Sequence, residues 1–161
     1  MNQAKNKLVI TTPSELEIVL TREFDAPKDL VFEAWTNPIH VKNWWGPDCV
    51  EMSECEIDLR VGGAFRYGTQ SPDGSQHPFI GVFREIERPS RLVHTFIYDI
   101  EPYNQFEAVF TVLFEDINGR TRMTETILHK TTEARDGHLY SGMEQGAAMA
   151  LDQLEALLAR L

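Results

Sequence analysis

Ala108-Val-Phe-Thr-Val-Leu-Phe-Glu-Asp-Ile-Asn-Gly-Arg-Thr-Arg-Met-Thr-Glu-Thr-Ile-Leu128 is the stretch whose reading decides the fold. Successive strand residues point to opposite sides, so Ala108, Phe110, Val112 and Phe114 share one face of the first arm. Met123, Glu125 and Ile127 share one face of the second. Between the arms stands Asn118-Gly119, a pair tolerant of positive φ, as a type I′ turn requires. The stretch is therefore a β-hairpin with an apolar face that carries one carboxylate. Earlier segments repeat the pattern, which predicts six strands in series over 51–59, 64–69, 79–87, 92–99, 106–115 and 120–128. Gly62-Gly63, Ser71-Pro-Asp-Gly74, Arg88-Pro-Ser90 and Glu101-Pro102 supply the turns between them. The same face then carries Phe65 and Tyr67, then Phe79, Gly81 and Phe83, then His94, Phe96 and Tyr98.

Outward from this block the period changes. Leu16, Ile18, Leu20 and Phe24 alternate with polar residues, which predicts a half-buried strand over 15–24, with Arg22 on its apolar side. Asp25-Ala-Pro27 reads as a helix start with a capping carboxylate. The helix that follows, 28–36, puts Val31, Phe32 and Trp35 on one stripe. Asn37-Pro38 starts a second short helix, expected to reach Trp44 and to end before Gly46-Pro47. Near the C-terminus Leu139, Met143, Ala147, Ala150, Leu154, Leu157 and Leu161 recur at helical spacing. They predict a long helix starting between Asp136 and Ser141, about 35 Å from Leu139 to the end at 1.5 Å per residue. Ser141-Gly-Met-Glu144 has the spacing of a capping box, with an earlier start left open. Residues 1–13 read as a flexible arm and 14–161 as a single domain.

This order predicts an α+β fold, a curved antiparallel sheet (β-α-α-β6-α) wrapped round a long C-terminal helix. One helix seldom fills a strongly bent sheet, so an internal cavity is expected. The chain of 161 residues has 25 acidic and 15 basic side chains, a net charge of −10. That balance speaks against nucleic acid and against an anionic membrane surface, which both attract basic patches. No apolar run approaches a membrane span, and residues 1–7 lack an apolar signal core. Two cysteines, Cys49 and Cys55, read as free thiols and fit a reducing cytoplasm. His40, His77, His129 and His138 lie singly, without metal-ligand spacing, and no phosphate loop or nucleophile elbow occurs. Neither a cofactor nor a metal is expected.

Arg22-Glu-Phe-Asp-Ala-Pro27 followed by Val31-Phe-Glu-Ala-Trp-Thr-Asn-Pro38 resembles the opening of activator of heat shock protein 90 ATPase homologue-like proteins. These are members of the START-related, helix-grip (SRPBCC) superfamily. The likeness continues through Trp44-Trp-Gly-Pro47, Asp58-Leu-Arg-Val-Gly-Gly63, Gly81-Val-Phe-Arg-Glu-Ile86, Pro89-Ser-Arg-Leu92 and the final helix, covering nearly everything after residue 14. The resemblance implies the helix-grip fold and a cavity for a hydrophobic ligand. The eukaryotic co-chaperone of this family has a separate N-terminal chaperone-binding domain, for which 161 residues leave no room, so a chaperone partner is disfavoured. The family's final helix often reads Gly-Trp where this chain has Gly146-Ala147. The family fold also sets the first strand antiparallel to the seventh, placing Arg22 diagonal to Glu125, where an ion pair is expected.

The candidate ligand-binding set is Phe32, Trp35, Trp44, Phe65, Tyr67, Phe79, Phe83, His94, Phe96, Tyr98, Phe110, Met123, Glu125, Met143, Ala147, Ala150 and Leu154. Any single aromatic among them reads as plain core, whereas together they read as a pocket, apolar with a few placed polar groups. Of Trp44 and Trp45, one is expected to pack inward while its neighbour points elsewhere. The leading expectation is a binder of a small apolar or amphipathic molecule. An enzyme of the same fold, cyclase or hydrolase-like, would use Arg22, His94 and Glu125; a chaperone-associated module is the third reading. A homodimer is left open.

Overall fold

The computed structural model describes residues 6–161. Eight strands form one antiparallel sheet: β1 (Val9–Thr11), β2 (Glu17–Phe24), β3 (Glu51–Ile57), β4 (Ala64–Gln70), β5 (Gln76–Glu87), β6 (Arg91–Tyr98), β7 (Ala108–Ile117) and β8 (Arg120–Leu128). Their spatial order is β1-β2-β8-β7-β6-β5-β4-β3. Between β2 and β3 lie α1 (Lys28–Thr36) and α2 (Pro38–Val41), and after β8 come α3 (Thr132–Leu139) and α4 (Met143–Leu158). The β7–β8 hairpin turns on Asn118 and Gly119 at φ 57° and 87°, the two positive values that a type I′ turn needs.

Register breaks in β3 between Met52 and Glu54, and in β5 between Phe83 and Glu85, help bend the sheet. Gly81 permits a close approach on the concave side. A Cβ there would collide with the Phe65 ring and the Thr95 carbonyl. The sheet therefore folds aromatic side chains inward against α4.

Four local expectations are corrected. Val9–Thr11, assigned to the flexible arm, form an edge strand paired with Thr21, Leu20 and Val19; the reach of the arm over residues 1–5 lies outside the described residues. Asp25 does not cap α1, whose N-cap is Pro27; the Asp25 carboxylate instead accepts from Arg120 and Asn6 at 2.6 and 3.2 Å. The long C-terminal helix is broken in two. Gly142, at φ 89°, turns the chain between α3 and α4 and stands as N-cap without a side-chain bond, so the capping box does not form. Finally, α2 ends at Val41 rather than Trp44, its N-terminus capped by Asn37 Oδ1, which accepts from the Ile39 amide at 3.0 Å.

The core falls into two clusters. The larger packs Phe24, Val31, Phe32, Trp44, Phe114, Met123, Leu154, Leu157 and Leu158 beneath α1 and the C-terminal half of α4. The smaller holds Ile18, Leu20, Ala108, Phe110 and Ile127, with Met143 and Ala147 from the N-terminal half of α4 against it. The space between the clusters is not filled.

Candidate functional site

That space is a cavity of about 290 Å³, walled by the sheet, by α4 and by the segment after α2. The size of the α4 side chains explains where it lies. Met143, Gly146, Ala147, Ala150 and Leu151 form the helix's contribution, a stripe at i, i+3, i+4, i+7 and i+8 that is small at its centre. One turn further on, Leu154, Leu157 and Leu158 fill the space completely.

Of the candidate set, Trp35, Trp44, Tyr67, Phe79, His94, Phe96, Phe110, Glu125, Met143, Ala147 and Ala150 line the cavity. Phe32, Phe65, Phe83, Met123 and Leu154 do not; they are buried in the larger cluster behind its wall. Phe65, for example, is enclosed by Tyr67, Phe83 and His94, with ring centroids 4.9, 5.6 and 5.0 Å away. Tyr98 lies beyond Phe79, its hydroxyl 2.7 Å from His77 Nδ1. Sharing a sheet face does not mean reaching a cavity that occupies only part of that face.

The cavity also takes in residues that the sequence reasoning left out of the site. Leu20, Trp45, Gly46, Pro47, Ile127, His138, Gly146 and Leu151 complete its lining. Trp44 and Trp45 both reach it, contrary to expectation; their amides both donate to the Val41 carbonyl, at 3.2 and 3.0 Å, in the turn that follows α2. Trp44 is pinned by donating from Nε1 to the Ala34 carbonyl at 2.9 Å. Trp45 stands against Tyr67 and Phe79 at 4.9 and 5.0 Å between centroids. Gln153 on α4 holds this segment by donating to the carbonyls of Trp44 and Gly46. The adjacent tryptophans were the signal for Trp45.

Three ionisable groups meet the apolar wall in an unusual state. Glu125 sits opposite Leu20 on β2 and Val112 on β7, and burial alone pushes its carboxyl up to about 7. Its surface is open to the cavity while protein surrounds it on every side. No cation among the described residues pairs with it. Arg22 is its diagonal neighbour on β2, as expected, yet the guanidinium turns instead to α4, 2.6 Å from Asp152 and 3.5 Å from Glu155. The Arg22–Glu125 pair is therefore corrected: helix α4 passes over β2 with its own carboxylates, and these take the arginine.

His94 Nδ1 lies 2.8 Å from the Thr95 carbonyl, which can only accept, so Nδ1 carries the proton and Nε2 presents a lone pair. Burial pushes its pKa down to about 4. The third group is His138 on α3, whose Nδ1 is 3.0 Å from Nε2 of His129. Burial, with the neighbouring His129 second, holds its pKa down to about 4. These two histidines, read singly in the sequence, are thus a contact pair. Among the described residues no group of three or more His, Cys, Asp or Glu side chains is placed to hold a metal ion. Cys49 and Cys55 are free thiols, and burial pushes Cys55 up to about 11.

The geometry has close counterparts. The family model described as Activator of Hsp90 ATPase homolog 1-like protein matches residues 25–159. A crystal structure of a Rhodobacter sphaeroides protein is 26% identical, with a TM-score of 0.88 over 96% of this chain and 99% of its own. A Nitrosomonas europaea protein is 30% identical, covers 92% and 97% of the two chains and reaches a TM-score of 0.82. A solution structure from Arthrobacter aurescens, 27% identical, covers 95% and 92% with a TM-score of 0.84. No curated protein matches the chain.

Proposed function

The chain belongs to the Activator of Hsp90 ATPase homolog 1-like family, and from that premise we propose that it binds a small apolar or amphipathic molecule inside the fold. The observation that carries this reading is the cavity of about 290 Å³, bounded largely by aromatic rings and by the small residues of α4. Pockets of this size, apolar with a few convergent polar groups, are the usual form of a small-molecule site. A protein that needed only stability would fill such a void, since unfilled core volume is destabilising. Tyr67, Phe79, Phe96 and Phe110 supply contact area from the sheet, while Trp44 and Trp45 close the cavity from the segment after α2. Two free thiols favour the reducing cytoplasm as its location.

Two measurements test the reading. Native mass spectrometry of freshly purified protein should show a retained small molecule. An environment-sensitive apolar dye should bind the folded protein saturably and alter its tryptophan emission, because Trp35, Trp44 and Trp45 all line the cavity. Dye binding that appears only on partial unfolding would overturn it.

A further inference from the structure

The charge on the cavity wall is of one sign. Among the described residues lining it, none is a lysine or an arginine, and the one carboxylate is Glu125. Arg22, its diagonal neighbour, is engaged by Asp152 and Glu155. The Nε2 of His94 offers a lone pair, its Nδ1 being committed to the Thr95 carbonyl. Burial raises the phenol pKa of Tyr67 most, Cys55 next, and Glu125 lies near enough for its charge to add to the rise. Around this acceptor set stand aromatic faces: Trp45 is tilted by 56° to Tyr67 and by 66° to Phe79, so the rings form the sides of a box.

We infer that the cavity selects amphipathic amines, with an apolar or aromatic body and an ammonium group that pairs with the Glu125 carboxylate. This rests on the cavity being a binding site, and it names the chemistry of the occupant. An acid entering the same space would set its carboxylate beside that of Glu125 with no cation among the described lining residues to receive either, and one of the two would have to take up a proton. An ammonium finds the carboxylate, an imidazole lone pair and aromatic faces that attract cations. The volume bounds the body. At ~30 Å³ per water, 290 Å³ corresponds to roughly ten waters, so the enclosed part of the ligand has about ten non-hydrogen atoms, the size of a naphthyl group.

The other titratable groups on the wall are Tyr67 from β4, His94 from β6 and His138 from α3. Both histidines are neutral above pH 6, and α4 contributes no titratable side chain to the lining. Proton exchange on binding at pH 6 to 8 therefore reports on Glu125, whose carboxyl is raised to about 7. At pH 6 the empty protein holds that proton, and pairing with an ammonium must release it.

Three probes of one shape separate the possibilities: 2-naphthylmethylamine, 2-naphthalenemethanol and 2-naphthoic acid, measured by calorimetry at pH 8. The amine should bind about 10- to 100-fold more tightly than the alcohol, the range of a charge-assisted hydrogen bond, and the acid more weakly than the alcohol. Glu125→Gln should bring the amine to the level of the alcohol. The unmodified protein gives an independent reading in buffers of different ionisation enthalpy. Close to one proton should be released per amine bound at pH 6, almost none at pH 8, and none with the alcohol at either pH. Acid binding as tight as amine binding, or amine binding at pH 6 without proton release, overturns the inference. Alcohol binding with no preference for the amine overturns it too but leaves the cavity a binding site. If none of the three binds, both readings fall.

Discussion

Replacing Ala147 with tryptophan distinguishes an open cavity from a closed core. Ala147 faces the space from the middle of the α4 stripe, one turn from Met143 and from Ala150–Leu151. The indole has nine ring atoms, and a cavity of about 290 Å³ holds the equivalent of roughly ten waters at ~30 Å³ each, so the ring fits with little room left. A buried tryptophan removes about 150–250 Å² from water. If about 100 Å² of that is newly buried apolar surface, ~25 cal/mol per Å² gives about 2.5 kcal/mol. Ordering the ring costs about 0.5–1 kcal/mol, and its N–H has acceptors within the cavity in Glu125 and His94. The expected net effect is a gain of about 1–2 kcal/mol. For a chain of this length that is about 2–4 °C in Tm per kcal/mol.

The same ring occupies the ligand's volume, so binding of a neutral probe such as 2-naphthalenemethanol should fall at least about tenfold; packing a ring into filled core would instead cost about 1–3 kcal/mol. Urea denaturation and calorimetry on the one variant read both quantities. A variant that loses more than about 1 kcal/mol while binding the probe unchanged would refute the reasoning, because the space facing Ala147 would then be neither empty nor the site.

The ionisable groups give a signed pH dependence. Glu125 moves from 4.5 up to about 7 on folding, so its contribution is present at low pH and is lost as pH rises through 7. His94 and His138 move from 6.5 down to about 4, and their contribution is present above 6.5 and lost as pH falls towards 4. Glu125→Gln should therefore stabilise by about 1–3 kcal/mol at pH 8, do little near pH 4.5, and leave a steeper acid limb in urea titrations; destabilisation at pH 8 would mean that the ionised carboxylate has a partner. Arg22→Met should cost about 1–2 kcal/mol, below the 3–5 kcal/mol of a wholly buried pair, because Asp152 is 73% exposed and rehydrates easily. In a double-mutant cycle with Glu125→Gln the coupling should stay within about 0.5 kcal/mol, and a larger value would restore the Arg22–Glu125 pair. Gly142→Ala should lower stability by about 1–2 kcal/mol, the cost of a Cβ at φ 89°; a neutral outcome would show that α3 and α4 join without that bend.

What the sequence made legible was what is decided locally. Alternation along β4 to β8 and the Asn118-Gly119 turn fixed the faces of the sheet, and these depend on neighbours within a few residues. The Arg22 partner was not legible, because Asp152 and Glu155 lie 130 and 133 positions along the chain and reach it only through the rotation of α4 about its axis. The helix break had a visible sign in Gly142, yet the apolar stripe runs through it from Leu139 to Met143 and masks it. β1 was missed because three residues give too short a window for a period to show. The cavity's limits were legible only in part. Period two places Phe65 and Phe83 on the same face as Tyr67 and Phe79, but it does not say how far α4 covers that face.

The division of labour along α4 ties the fold to the site. Its polar anchors fall at Asp152, Gln153 and Glu155, where they hold Arg22, the segment after α2, and both Asn6 and the Asp25 amide. The leucines that fill the core, Leu154, Leu157 and Leu158, belong to the same half. The preceding turns carry Gly146, Ala147 and Ala150 over the cavity and pack against the smaller cluster. One half of the helix thus supplies attachment, and the other half is left free of bulk. That arrangement explains how the chain keeps a void of about 290 Å³ in its interior: the contacts that stabilise α4 are displaced along its axis from the space it encloses. It also explains why Glu125 has no cationic partner among the described residues. The helix carboxylates that engage Arg22 stand on the anchoring half, and so the arginine nearest to Glu125 is drawn away from the cavity and towards the core's fixed end.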